Sequence, residues 1–198
     1  MGAMSLGALN KLSQSKSTPP MPVLFVGHGN PMNAIEENPF VASWRNIAKT
    51  IPIPSAILCI SAHWETNGTL VTAMEMPKTI HDFGGFPQAL FDVQYPAPGN
   101  PELAQTTKEL ITSTNVGLDS QWGLDHGTWS VLKHFYPKAE IPLLQLSIDY
   151  TKPLSYHVEL AKELNFLRRK GVLIVGSGNM IHNLRMVTPK NGDFNIEY

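Results

Sequence analysis

Five short apolar runs, several of them nearly uninterrupted, punctuate the chain at residues 22–27, 55–62, 69–74, 141–148 and 172–177. Runs this short and this rich in β-branched residues read as strands, and their lack of polar alternation marks strands covered on both faces. Segments of helical period lie between several of them. Asn38-Pro39 opens one that runs to about Thr50, and Asn100-Pro101 opens another with Leu103, Thr107, Leu110 and Ile111 on one face. Both use an asparagine cap followed by a first-turn proline. Pro153 begins a third, with Leu154, Val158, Ala161 and Leu164 as its expected apolar stripe and Gly171 as its stop. Strands separated by helices cannot pair as tight hairpins, so the chain is expected to fold as an α/β protein. The expectation is a single domain with a mostly parallel central sheet flanked by helices.

The first 20 residues are set aside as a disordered, tag-like segment, and the folded domain is taken as residues 21–198. Met1-Gly2-Ala3-Met4 reads as a cloning remnant before a second start, although the lysines and serines that follow, without an acid, also fit a weak organellar presequence. Fifteen basic residues against 16 acidic ones leave a net charge of -1, and Arg168-Arg169-Lys170 is the longest basic cluster. That triplet suits the last turn of a helix, where positive charge complements the dipole. No nucleic-acid partner is expected. No apolar stretch approaches the roughly 18 residues of a membrane span, so no membrane association is expected either. The single cysteine, Cys59, lies inside an apolar run and reads as a small buried hydrophobe, consistent with a cytoplasmic protein.

Three histidines follow three of the strand-like runs: His28, His63 and His182. In an open α/β sheet, ligands gather outside the carboxyl ends of the strands, so residues far apart in sequence converge there. Neutral imidazole is the commonest metal ligand and suits iron, zinc and copper. Each histidine alone could instead be a hydrogen-bonded structural residue; three at strand ends together point to a mononuclear metal site. His126 differs, standing beside Asp125 ahead of a helix-like segment at 128–135. It could move a proton or bind a substrate oxygen, while Asp125 could equally serve as a helix cap. His81 lies in a loop between Met76 and Gly99 broken by prolines and glycines and interleaved with Phe83, Phe86, Phe91 and Tyr95. Long loops of this kind usually carry function. His134 and His157 read as ordinary helix residues, and Trp64, Trp122 and Trp129 either wall an aromatic site or pack the core. Zinc-protease, zinc-finger, serine-hydrolase and phosphate-loop signatures are absent.

Taken together, Gly27-His28-Gly29-Asn30-Pro31-Met32, Ser61-Ala62-His63-Trp64, Thr79 through Pro87, Tyr95-Pro96-Ala97-Pro98-Gly99, Asp125-His126-Gly127-Thr128-Trp129 and His182-Asn183-Leu184 resemble the class III extradiol ring-cleavage dioxygenases of the LigB-like superfamily. The likeness is to the branch of DOPA 4,5-dioxygenases and covers about residues 21 to 187. It implies one non-haem metal, Fe(II) for activity and Zn(II) in isolated protein. His28, His63 and His182 match metal-site residues, and His126 and His182 match catalytic ones, with His182 read as a ligand in this branch and as the acid/base in related ones. The implied reaction opens a catechol-type ring with O2. The resemblance also implies a family domain that continues beyond Tyr198 through a segment carrying another metal-site residue. A zinc hydrolase using the same histidines and a non-enzymatic binding protein of the Memo type are the competing readings.

Overall fold

The computed structural model describes residues 18–179. Strand β1 (Val23–Gly27) is followed by a 3-10 turn at Pro31–Ala34, helix α1 (Pro39–Thr50) and strands β2 (Ala56–Ser61), β3 (Glu65–Thr66) and β4 (Thr69–Thr72). Then come the short helix α2 (Gln88–Phe91), α3 (Pro101–Leu110), β5 (Val116–Asp119), α4 (His126–Phe135), β6 (Leu143–Gln145), β7 (Ile148–Asp149), α5 (Leu154–Arg168) and β8 (Val172–Gly178). The central sheet has the order β1-β8-β2-β6, and each of its pairings is parallel. Two parallel pairs, β3 with β7 and β4 with β5, extend the architecture beside it.

Period-2 alternation divides the core. Ile57, Cys59, Leu173 and Val175 belong to one cluster with Val41, Trp44, Trp129 and Leu132 of helices α1 and α4. Leu58, Val172 and Ile174 belong to the other, with Ala104 and Leu110 of α3 and Leu160, Leu164 and Leu167 of α5. Helices therefore cover both faces, which is why the strands read as continuous apolar runs. The asparagine caps form as expected: the Asn38 side chain accepts from Phe40 and Val41 N–H groups, and Asn100 from Leu103. Cys59 is wholly buried, and burial pushes its thiol up to about 12.

Three expectations change in detail. The run at 141–148 splits into β6 and β7, because Leu146 bridges antiparallel to Val71 and Ser147 exchanges hydrogen bonds with the Leu70 backbone, drawing the chain off the central sheet. The buried stripe of α5 is Leu160, Leu164 and Leu167, whereas Leu154 and Val158 stay 85% and 55% exposed. The helix presents the face of Tyr156, Leu160, Leu164 and Leu167 to the core, which leaves Leu154, Val158 and Ala161 of the expected stripe on the outer side. Strand β5 escaped notice because Gly117 looks like a turn residue. It is instead a close approach, since a Cβ there would come within 2.6 Å of the Leu70 side chain. No helix among the described residues is long and apolar enough to cross a membrane.

Candidate metal centre

The apolar face shared by β2 and β8 turns polar at its carboxyl end. Ile57-Cys59 is followed on that face by Ser61, and Leu173-Val175 by Ser177, with Ser61 and Ser177 side by side in register. The first turn of α4 sits over this edge. The helix begins at His126 rather than at 128, with Asp125 as its N-cap accepting the Thr128 N–H at 3.0 Å. Capping and chemistry thus occupy adjacent residues. Gly127 permits the close seating: a Cβ there would fall 2.5 Å from Ser61 Oγ and 2.9 Å from His63 Cδ2.

Just beyond the strands, His28, His63 and His126 converge so that one ligand atom from each lies within 4.8 Å of the others. His28 is 1% exposed and follows Gly27, the last residue of β1, which is paired with Gly178. The Asn33 amide donates to its carbonyl at 3.0 Å, through a turn in which Gly29 takes φ +62°. Its Nδ1 lies 3.1 Å from Ser177 Oγ, and its Nε2 lies 3.1 Å from His63 Nε2. Two imidazole nitrogens at that separation fit one shared ion held by bonds of about 2.0–2.1 Å each. The donor set and spacing therefore suit a metal. The His63 and His126 rings lie 3.9 Å apart between centroids and are tilted by 52° to each other.

Asp82, on the loop rich in proline, glycine and aromatics, joins two of the rings. One carboxylate oxygen lies 2.9 Å from His126 Nδ1 and the other 3.5 Å from His63 Nδ1. The approach to His126 Nδ1 is off the line of a hydrogen bond, and the His126 backbone N–H donates to the same oxygen at 2.9 Å. Burial raises the Asp82 carboxyl, but the bonds and charge of His126 together with His63 outweigh it and hold the group below the usual carboxylate range. Asp125 shows the opposite balance: burial dominates and pushes it up, although the Gln145 amide donates to it at 2.7 Å. Phe83 meets the His126 ring edge-on at 5.4 Å and packs on Phe86 and Phe91.

Of the residues singled out in the sequence, His28, His63 and His126 come together, and His182 lies outside the described residues. His81 turns away, its Nε2 3.0 Å from the Val93 carbonyl. His134 Nε2 donates to the Asn33 carbonyl at 2.8 Å, and His157 Nε2 lies 3.2 Å from the Asp149 carbonyl. Trp129 is a core residue whose indole donates to the Ile80 carbonyl at 2.8 Å, while Trp64 and Trp122 stack on each other. Sequence reasoning gave no role to Asp82, Phe83, Ser177 or Gly127. For Asp82 and Phe83 the signal is their place in the long aromatic loop; for Ser177, as for Ser61 beside it, it is a polar residue closing an apolar alternation.

A parallel α/β sheet with three imidazoles gathered beyond its carboxyl edge, close enough together to share one ion, is the architecture of a candidate metal-binding enzyme. The sequence matches the family described as the catalytic LigB subunit of aromatic ring-opening dioxygenase over residues 17–197, and the chain belongs to that family. It is 56% identical over 168 residues to a protein of Escherichia coli K12 named 4,5-DOPA dioxygenase extradiol, an alignment covering 84% of this chain and 62% of the relative. A Beta vulgaris protein of the same name is 41% identical over 175 residues, covering 85% of this chain and 63% of the relative. The crystal structure of the uncharacterized E. coli K12 protein JW3007 matches with a TM-score of 0.71 and 49% identity, covering 84% of this chain and 63% of that one. The chain thus spans slightly under two thirds of the length of these relatives.

Proposed function

We propose that this chain carries the site of a metal-dependent extradiol dioxygenase, which opens a DOPA-like catechol beside its diol with O2 and releases a ring-opened semialdehyde. The observation that carries this reading is the convergence of His28, His63 and His126 at the strand ends in a member of the ring-opening dioxygenase family. The single cysteine, free and buried, supports a reducing, cytoplasmic setting for this chain.

In this reading His28, His63 and His182 are the metal ligands, and His126 and His182 handle protons. When bound, Fe(II) would bring catechol and O2 together and let electrons pass between them; Zn(II) suits the same imidazoles in the isolated protein. His126 turns Nδ1 toward Asp82, which leaves Nε2 as the atom that takes a hydroxyl proton from the catechol and later returns it. The Asp82 carboxylate, ionised at neutral pH, stabilises the imidazolium that this transfer creates. Phe83 beside His126 offers an apolar edge against which an aromatic ring can rest.

The test is reconstitution with Fe(II) under anaerobic conditions, followed by addition of a panel of catechols including DOPA in air-saturated buffer. Iron-dependent O2 uptake matched to a coloured ring-opened product is the expected result. Bound iron without uptake for any catechol, or hydrolysis supported by zinc without oxygen, would overturn the proposal.

A further inference from the structure

Ser177 is 2% exposed on β8, paired in register with Val26 of β1 and Ser61 of β2. Its hydroxyl donates to the Gly127 carbonyl oxygen in the first turn of α4. The direction of that bond is fixed, because a carbonyl only accepts and a serine has a single proton to give. Toward His28 Nδ1, at 3.1 Å, Ser177 Oγ can then act only as an acceptor. The hydrogen of the neutral His28 ring must therefore sit on Nδ1. Its lone pair is left on Nε2, the nitrogen that faces His63 Nε2.

We propose that Ser177 is a positioning residue that sets the tautomer of His28 and so commits its Nε2 to the metal, while tethering that ligand to the helix that carries His126. The inference rests on the reading of His28 as a ligand. A metal-bound imidazole usually donates its other N–H to an oxygen that fixes ring orientation, and here the oxygen comes from the strand lying between those that lead into His28 and His63. Without that hydroxyl the proton can move to Nε2, where it would point at His63 Nε2 and compete with an incoming cation.

Two measurements test this. In the metal-free protein labelled with 15N-histidine, long-range proton–nitrogen spectra should show the neutral His28 ring protonated on Nδ1. In titrations with Zn(II) against a chromophoric chelator, Ser177→Ala should weaken binding about 10–100-fold and Ser177→Thr, which keeps the hydroxyl, should restore it. Protonation of wild-type His28 on Nε2, or unchanged zinc affinity in a folded Ser177→Ala protein, would overturn the assignment. If Ser177→Ala does not fold, the wild-type tautomer decides. A His28→Ala control separates the two levels: if zinc affinity survives it, the ligand reading fails; if affinity is lost there but not in Ser177→Ala, the role of Ser177 alone fails.

Discussion

The backbone N–H of His126 donates to an Asp82 carboxylate oxygen that also lies 2.9 Å from the ring Nδ1, in charge contact rather than in line with it. The loop that supplies Asp82 is thereby fastened to the first turn of α4. The second carboxylate oxygen is left for His63. Asp82→Asn replaces one oxygen with a donor and cannot serve both rings. On the proposed function, kcat for catechol cleavage should fall by about 10²–10³ through His126, and metal affinity by about tenfold through His63. Oxygen-uptake kinetics and zinc competition measure the two separately, and equal losses in both would contradict the division of roles.

Gly127→Ala sets two effects against each other. Alanine gains about 0.8–1.0 kcal/mol of helix propensity over glycine. The added methyl, however, meets Ser61 Oγ and His63 Cδ2 inside contact distance, and Ser61 is fully buried. Overpacking of this kind costs about 1–3 kcal/mol, so the net change should be destabilising. Urea unfolding gives the sign, and a parallel loss of zinc affinity would show that His63 has been displaced.

Asp125→Ala removes a helix cap and the acceptor of the Gln145 amide at once, both from a fully buried position. A lost cap costs about 1 kcal/mol and a stranded buried donor about 1–3 kcal/mol, which predicts roughly 2–4 kcal/mol of lost stability. The loss should appear as a lower urea midpoint. Asp125→Asn should recover part of it, because burial already disfavours the charge there.

His134 should give acid sensitivity one residue removed from His28, since the Asn33 carbonyl accepts from it and the Asn33 amide donates to the His28 carbonyl. Burial lowers it below its ordinary 6.5, with Lys133 and Arg45 adding to the effect and the Asn33 carbonyl and Glu37 opposing it. The unfolded chain then binds more protons than the folded one between the depressed value and 6.5, so stability rises with pH across that window. The contribution is complete above 6.5 and disappears as pH falls through the folded value. Comparing urea midpoints above and below 6.5 in the wild type and in His134→Gln should show a shallower slope in the variant.

The sheet and three of the four helices on its flanks were legible because period and capping are local signals: Asn38-Pro39 and Asn100-Pro101 start their helices where the sequence places them. The site was legible as far as strand-end histidines could carry it. Asp82 and Ser177 were not, since each acts through a partner dozens of positions away, 44 residues for Asp82 to His126 and 149 for Ser177 to His28. Nothing in an irregular loop announces which of its side chains turns inward. The α5 stripe differs for a related reason: Leu154 and Val158 lie a helical turn apart like core residues, and the rotation of the helix on the core, set by tertiary packing, decides which leucines are covered.

Because β8 lies between β1 and β2, the two strands that lead into His28 and His63 have no direct pairing with each other in the central sheet. Both imidazoles therefore precede β8 in the sequence, yet the sheet does not bring their strands together until β8 is present. Arrival of the segment around Val172–Gly178 closes the gap, delivers Ser177 and brings the two ligand-bearing edges into register in one event. Pairing of β8 and assembly of the proposed ion site thereby coincide, and a cation added to a refolding mixture should speed the phase in which β8 docks rather than earlier ones.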